Sequence, residues 1–295
     1  MAGVLIAGAL ASSSRTLYLN CSTSGCKSED VPVRTRHRNA AVSASWHGQV
    51  LQDCYAQHLL NSKRGGYYLD VAANDAIRYS NTVVLDRFFG WNGICIEPNP
   101  VYHEKLLTER TCTVVAAALS DVETDAIFEF RPPEQKGEMD SKVFGHLVKA
   151  TEAGSSSATH VRTIRLSNLL RTFSSPPIID FMSLDVEGAE ALVMASFPWS
   201  THTVSLLSIE RTPSDLRKML MAHHYLELCR LGTNMDTLWV HSTLLDSEHV
   251  MRVWPNARRQ ANGRTHCFSV LNGTRSTNLR EWQCPAIPPL QHQQP

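Results

Sequence analysis

The sequence predicts an α/β domain built on a mostly parallel sheet, and two observations lead to that prediction. Between Gly65 and about His241, short β-like apolar runs alternate with segments of helical spacing, the pattern of a sheet covered by crossover helices. The chain has 295 residues, of which 43% are hydrophobic, enough to bury the core of one large domain. The longest apolar run, Val4 to Ala11, is too short to cross a bilayer, so no membrane span is expected.

Seven short runs rich in apolar and β-branched residues are predicted as strands. They are Tyr67–Val71, Gly93–Glu97, Val114–Leu119, Ile178–Leu184, Val204–Ile209, Tyr225–Leu231 and Thr237–His241. The turn at Gly232-Thr233-Asn234 suits a hairpin, so the last two strands are expected to pair antiparallel.

Four helices are predicted between these strands. Asn99-Pro100 is a capping residue followed by proline at the first helical position, and Thr212 to Asp215 resembles a capping box. Two further segments have apolar residues at helical spacing. They are Val84, Leu85, Phe88 and Phe89 in the first, and Ala189, Leu192, Val193, Ser196 and Phe197 in the second.

Composition divides the chain into three parts. Residues 1–45 are rich in Ser, Thr and Arg without periodicity and are predicted to be a targeting segment and disordered linker; residues 46–250 form the domain, and 251–295 a basic tail containing Pro and Gln. The net charge is zero, but the two ends carry +3 and +5, which leaves −8 on the central part. Because nucleic-acid-binding domains are normally basic, no nucleic-acid partner is expected.

The amino terminus and the cysteines favour the secretory pathway or Golgi. A short apolar stretch ends in the small-residue site Ala9-Leu10-Ala11, and two glycosylation sequons begin at Asn20 and Asn272. The eight cysteines lack metal-ligand spacing, so they could form disulfides in an oxidising compartment. Cys95 and Cys112 begin neighbouring predicted strands, where either a disulfide or two buried thiols would fit. An organelle or the cytoplasm remains an alternative location.

Acidic residues follow four of the predicted parallel strands. They are Asp70, Glu97, Asp121 after Ser120, and Asp185 with Glu187. Ligands of open parallel sheets bind at the carboxyl ends of the strands, so these side chains are expected to share one site. An acidic residue at the position of Glu97 commonly accepts hydrogen bonds from two ribose hydroxyls.

Phosphate-binding motifs are missing from the sequence. Neither the glycine-rich dinucleotide motif nor the P-loop motif occurs, and the acidic strand ends carry no Lys or Arg to balance phosphates. The expected ligand therefore has a ribose and a cationic or neutral group but no pyrophosphate. S-adenosylmethionine has these properties.

Five segments together resemble the FkbM-type methyltransferase family. They read GGYYLDVAANDAIRYSNT, GWNGICIEPNP, VVAAALSD, IDFMSLDVEGAE and LLSIE, in the order and spacing of that family's domain. The resemblance implies a class I methyltransferase fold: a Rossmann-like doubly wound sheet of seven strands with the last strand antiparallel. It also implies O-methylation, with S-adenosylmethionine as methyl donor and a small-molecule or glycan hydroxyl as acceptor. It leaves the oligomeric state undefined.

The same resemblance assigns roles to individual residues. Eight would bind the cofactor: Asp70, Ala72 and Asn74 at its methionine end and ribose, Glu97, Pro98 and Asn99 around the ribose hydroxyls, and Ser120 and Asp121 beside the adenine. Asp185 and Glu187 would face the sulfonium and the acceptor and are the candidate catalytic residues, with Glu210 next. A carboxylate here could serve as general base, or the carboxylates could chelate Mg²⁺. No dedicated metal site is predicted.

One loop departs from the family pattern. The family normally has Asp-x-Gly-Ala-Asn-x-Gly, whereas this chain has alanine at both glycine positions, Ala72 and Ala76. Because Asn74, Glu97 and Asp185 are retained, we expect the turn to use ordinary φ values that alanine can adopt. The alternative is a methyltransferase fold that has lost catalysis and serves as a binding or trafficking module.

Overall fold

The computed structural model describes residues 17–22, 25–30, 42–130, 145–148, 158–231, 236–254 and 284–289. Its strands are β1 Leu17–Ser22, β2 Gly25–Asp30, β3 Tyr67–Val71, β4 Asn92–Ile96, β5 Thr113–Ala116, β6 Ala118–Leu119, β7 Asp125–Phe130, β8 Gly145–Val148, β9 Ala158–Ile164, β10 Ile178–Leu184, β11 Thr203–Glu210, β12 Tyr225–Arg230 and β13 Asp236–His241. Its helices are α1 Gln52–Leu59, α2 Val83–Phe89, α3 Pro100–Glu109, α4 Leu166–Thr172, α5 Glu190–Ala195, α6 Ser214–Ala222, α7 Ser242–Leu245 and α8 Glu248–Val253. Within these ranges, every helix is too short or too polar to cross a membrane.

The main sheet has the predicted Rossmann-like, doubly wound topology. Seven strands lie in the order β12-β13-β11-β10-β3-β4-β5, and β13 runs antiparallel to both of its neighbours while the other pairs are parallel. The prediction of a seven-stranded sheet with an antiparallel last strand is confirmed. Strand order reverses between β3 and β10, and such a reversal opens a crevice at the carboxyl ends of the strands.

Two strands extend this sheet beyond β5. β1 pairs parallel with β5 and β2 pairs antiparallel with β1, so the sheet has nine strands in all. The sequence predicted disorder for residues 1–45, and that prediction is wrong for 17–22 and 25–30. The edge of β5 offers unpaired backbone N–H and C=O groups, which β1 satisfies. The proposed targeting role of this segment stays a prediction, and the hairpin turn at 232–234 lies outside the described residues.

The third predicted strand is interrupted. The Ala117 N–H donates to the Val115 carbonyl at 3.0 Å, and this tight turn takes the chain out of the main sheet. The following residues form β6, which belongs to a separate four-stranded sheet of order β6-β9-β7-β8. Its strands β8 and β9 come from a part of the chain in which the sequence predicted no strand.

The core lies on both faces of the main sheet because alternate residues of each strand point to opposite faces. In β11, Leu206 packs with the cluster that includes α1 and α2, and Leu207 packs with the cluster that includes α4, α5 and α6. Phe181 and Met182 of β10 divide between the same two clusters. All four side chains are fully buried, so β10 and β11 are central strands that hold the site's carboxylates in fixed positions.

Two disulfides between residues that the structure describes join elements around this core. Cys95 in β4 pairs with Cys112 just before β5, with a Cα–Cα distance of 5.9 Å, and Cys54 in α1 pairs with Cys284, with a Cα–Cα distance of 5.4 Å. Of the two alternatives left open for Cys95 and Cys112, the structure therefore has the disulfide. Cys54, Cys95 and Cys112 are fully buried, so these bridges belong to the folded core.

Removing the Cys95–Cys112 bridge is expected to lower the free energy of unfolding by about 3 kcal/mol. The bridge closes a short loop and so reduces the conformational entropy of the unfolded chain, and this stabilisation is lost in its absence. The measurement is urea unfolding of the Cys95→Ala/Cys112→Ala variant beside the wild type, without reductant. An unchanged midpoint, or alkylation of these two thiols in the unreduced denatured wild type, would contradict this expectation.

Candidate functional site

A cavity of about 400 Å³ lies at the carboxyl ends of β3, β4 and β10, where strand order reverses. Nine of the ten site residues predicted from the sequence line it: Asp70, Ala72, Asn74, Glu97, Pro98, Asn99, Ser120, Asp185 and Glu187. Residues that lie more than a hundred positions apart in the sequence therefore meet at one edge of the sheet, as expected for residues at the carboxyl ends of parallel strands.

Asp121 is the exception, because it does not line the cavity. Its side chain accepts a hydrogen bond from the Ser120 hydroxyl at 3.1 Å, and its backbone carbonyl accepts one from Arg165 Nε at 2.8 Å. The chain passes the cavity through β6 and Ser120, and Asp121 lies in the bend that follows. A cofactor-binding role for Asp121 has no support in this geometry.

The loop after β3 has a left-handed backbone at two positions. The φ angles of Ala72 and Asn74 are 61° and 54°. Our expectation of ordinary φ values is therefore wrong for Ala72, although Ala76 is not left-handed. The conformation is held by the Ala73 N–H, which donates to the Ile96 carbonyl at 3.0 Å, and by the Asn74 N–H, which donates to Glu97 Oε2 at 2.7 Å. These bonds offset the steric cost of alanine in this region.

Ala72→Gly is expected to raise the free energy of unfolding by about 0.5–1 kcal/mol, because glycine avoids the left-handed strain at a smaller cost in chain entropy. Ala76→Gly is the matched control. Ala76 is fully buried and its methyl group packs in the core, so this change should instead cost about 1 kcal/mol. Urea unfolding of the two variants measures both effects. Equal destabilisation by both would contradict the conclusion that Ala72, but not Ala76, carries left-handed strain.

Glu97 joins the two loops that flank the tip of β4. Its Oε2 accepts the Asn74 N–H at 2.7 Å, and its Oε1 accepts the Asn99 N–H at 2.8 Å. Asn99 in turn caps α3 by accepting the Val101 N–H at 3.0 Å. Each carboxylate oxygen has two lone pairs, so each keeps an acceptor position for a ligand hydroxyl.

Burial raises the pKa of Glu97 to about 7. The amides of Asn99 and Asn74 act in the opposite direction by stabilising the carboxylate, and the nearby charge of Asp70 adds to the increase. Glu97 therefore changes its ionisation in the neutral pH range, where ligand binding would be measured.

Three carboxylates meet on the other side of the cavity, at the ends of β10 and β11. Asp185, Glu187 and Glu210 each place one oxygen within 4.8 Å of the others. Arg211 contacts Glu210 at 2.8 Å and Glu187 at 3.9 Å from the protein surface. A hard cation such as Mg²⁺ prefers oxygen ligands of this kind, so these three are the described residues that could hold a metal ion.

The ionisations of Asp185 and Glu210 influence each other. Surrounding protein atoms, followed by the charge of Glu210, raise the pKa of Asp185 well above its usual range, although its carboxyl remains accessible from the cavity. Burial also raises the pKa of Glu210, while the hydrogen bond that it accepts from Asp185 lowers it. Because two like charges this close oppose each other, the pair loses its last proton at a higher pH than an ordinary carboxyl group would.

Asp236 is a site residue that sequence reasoning missed. It lines the cavity, and its Oδ2 accepts hydrogen bonds from Gln52 Nε2 at 2.7 Å and from the Ser208 hydroxyl at 3.0 Å. The predicted last strand began at Thr237, so Asp236 fell between that strand and the predicted turn at 232–234. An antiparallel strand starts at the edge where its parallel neighbours end, and that rule could have found Asp236.

Glu190, by contrast, has a structural role. Its Oε1 accepts the backbone N–H groups of Val186 at 3.3 Å and Gly188 at 3.1 Å, and its side chain is buried. Glu190 therefore fixes the loop that presents Glu187, whose own φ is 53°.

Negative charge dominates the described lining of the cavity. Among the residues that line the cavity, six are acidic and one, Arg78, is basic. The six are Asp70, Asp75, Glu97, Asp185, Glu187 and Asp236. This lining favours a neutral or cationic ligand and offers little to a diphosphate.

The sequence profile of the Methyltransferase FkbM domain matches residues 70–235, which carry nearly all of this cavity and most of the sheet. The chain belongs to this family. As a member of the FkbM methyltransferase family it is a methyltransferase with the class I fold. The domain boundaries predicted at 46 and 250 stay predictions.

Two other comparisons add no functional assignment. No curated protein matches the sequence. Among solved structures, a crystal structure of protein LPL1258 from Legionella pneumophila str. Philadelphia 1 aligns over 73% of this chain and 93% of its own, with 11% identity and a TM-score of 0.29. A similarity of this size does not establish a shared fold.

Proposed function

We propose that this methyltransferase uses S-adenosylmethionine to methylate a hydroxyl group of a sugar, glycan or hydroxylated metabolite. The observation that carries the proposal is that Glu97 and Asp185 line one cavity. A carboxylate suited to a ribose thus faces the same space as a carboxylate suited to accepting a proton.

The residues of the cavity fit this cofactor. Glu97 keeps two acceptor positions for the ribose hydroxyls after binding the amides of Asn74 and Asn99. The acidic lining suits the cofactor's sulfonium and ammonium groups. Asp70, Ala72 and Asn74 would hold its methionine end, and Pro98, Asn99 and Ser120 would border the nucleoside.

The chemistry needs little from the protein beyond positioning and one proton acceptor. A bound cofactor would supply an electrophilic methyl group. The cavity would hold the acceptor hydroxyl beside it, and such positioning lowers the barrier substantially. Asp185 would accept the hydroxyl proton after the pair with Glu210 has lost its last proton, a loss that a cationic ligand beside the pair would favour.

A hydroxyl-bearing acceptor is supported by polar and aromatic side chains in the lining. Asn81 Nδ2 donates to the Ser183 hydroxyl at 2.9 Å, and both residues line the cavity. The exposed ring of Tyr79 at the same cavity suits contact with the apolar face of a sugar.

We also propose that the protein works in an oxidising compartment of the secretory pathway or Golgi. Buried disulfides such as Cys95–Cys112 are rare in proteins of the reducing cytosol. As part of this proposal, the amino-terminal segment directs the protein to that compartment.

Methyl transfer to hydroxyl groups can be tested with S-adenosylmethionine that carries a tritiated methyl group and a panel of glycosides and glycans. The full chain is expected to label acceptors with free hydroxyls in a form that survives mild alkali, as methyl ethers do and methyl esters do not. Parallel reactions with EDTA and with added Mg²⁺ separate base catalysis from metal catalysis. Label found only in alkali-labile form would contradict O-methylation of a hydroxyl.

A further inference from the structure

Arg110 is a fully buried cation that does not line the cavity. It follows α3 directly, and its guanidinium extends beneath the carboxyl end of β3. Arg110 Nε pairs with Asp86 Oδ2 at 2.8 Å, and its Nη2 donates to the Tyr68 hydroxyl at 3.0 Å and the Thr82 hydroxyl at 2.5 Å. A buried charge is tolerated only with such complete pairing.

The same guanidinium reaches the loop and the carboxylate that lie next to the cavity. Its Nη1 is 3.5 Å from the Ala76 carbonyl and donates to the Ser80 hydroxyl at 3.1 Å. Its Nη1 also lies 3.7 Å from Asp70 Oδ2, the oxygen that accepts the Thr82 hydroxyl. Asp70 belongs both to this network and to the cavity lining, so it connects the two.

We infer that Arg110 is a positioning residue that orients the Asp70 carboxylate and the loop at 72–76 toward the cofactor from behind the cavity. The inference rests on the proposed function, because it concerns binding of S-adenosylmethionine. Arg110 acts through Asp70, and the cofactor itself is not expected to touch it.

Charge explains why the arginine is needed. Burial raises the pKa of Asp70, and Arg110 is the main group that opposes the increase. The groups that face Asp70 are Arg110, Thr82 and Asp86, and Glu97 lies close enough to interact by charge. Without the guanidinium, Asp70 would take up a proton more readily and would lose its attraction for a cationic ligand.

Two variants separate positioning from general stability. Asp86→Asn keeps Arg110 beside Asp70, whereas Asp86→Asn/Arg110→Gln removes the guanidinium and one carboxylate together. The double variant thus keeps the buried net charge of the wild type, and this avoids the unpaired charge that Arg110→Gln alone would leave. Urea unfolding confirms that each variant is folded before binding is measured.

The test is calorimetric binding of S-adenosylhomocysteine to the full chain between pH 6 and 8. Asp86→Asn should bind like the wild type, and the double variant should bind about tenfold more weakly at pH 7, with its loss growing as the pH falls. Glu97 is present in every variant, but its pKa depends on the charge of Asp70, so affinities are compared first at pH 8, where Glu97 is mostly ionised. Equal affinity and an equal pH profile in the double variant would overturn the inference alone; absence of binding by folded wild type would overturn the proposed function as well.

Discussion

Asp185→Asn is expected to lower kcat by about 10²–10⁴-fold, the usual contribution of a general base. Asparagine has nearly the same shape as aspartate but cannot accept the acceptor's proton, so the cavity should keep its form. Affinity for S-adenosylhomocysteine should change little, because the proposed ribose contact is made by Glu97 on the other side of the cavity. Steady-state kinetics and calorimetry on the same preparation measure the two effects separately.

Asp121→Asn is the matched control for this experiment. Asp121 also follows a predicted strand, but it does not line the cavity, so kcat should stay at the wild-type value. A wild-type kcat in Asp185→Asn would contradict the proposed base. If EDTA abolishes activity and Mg²⁺ restores it, the cluster of Asp185, Glu187 and Glu210 acts as a metal site, and the base assignment is wrong.

The pH dependence of kcat has a definite sign. The proton-accepting form of the pair is the ionised one, and its raised pKa places that form at higher pH than for an ordinary carboxyl group. Activity should therefore rise with pH and fall as the pair regains its proton.

Affinity for S-adenosylhomocysteine is expected to weaken about tenfold between pH 8 and pH 6. Burial raises the pKa of Glu97 to about 7, so about one tenth of the protein carries the ionised side chain at pH 6. The ionised form accepts from the ribose hydroxyls, and the protonated form has fewer acceptor positions. Binding is thus strongest above the pKa and is lost as the pH falls through it.

Glu97→Gln should flatten this profile and lower the affinity at pH 8. Glutamine has one oxygen, so it cannot accept from the amides of Asn74 and Asn99 and from a ribose at the same time. Asp121→Asn should retain the wild-type slope. A steep profile that persists in Glu97→Gln would assign the titration to another group.

The positions along the chain of the strands that form the seven-stranded part of the main sheet, and most of the site residues, were predictable from the sequence. Buried parallel strands such as Ile178–Leu184 read as continuous apolar runs, and an acidic residue directly after such a run marks the carboxyl edge of the sheet. That single rule identified Asp70, Glu97 and Asp185, because it depends only on local pattern and chain direction.

What the sequence did not predict depends on contacts distant along the chain. The left-handed φ of Ala72 is compatible with alanine because Glu97, 25 residues later, fixes the next turn. Asp121 lies outside the cavity, where its carbonyl accepts from Arg165, 44 residues later. Asp236 reaches the cavity through the antiparallel insertion of β13. The first two contacts leave no signal in the neighbouring residues, whereas the position of Asp236 follows once β13 is placed antiparallel to β11.

Calorimetric titration of the full chain with S-adenosylhomocysteine at pH 8 tests the central claim most directly, with Glu97→Ala alongside. The proposed site predicts micromolar binding by the wild type and loss of that binding in the folded variant. If the folded wild type gives no heat at millimolar ligand, the cavity is not a cofactor site. The fold would then serve as a binding module rather than an enzyme.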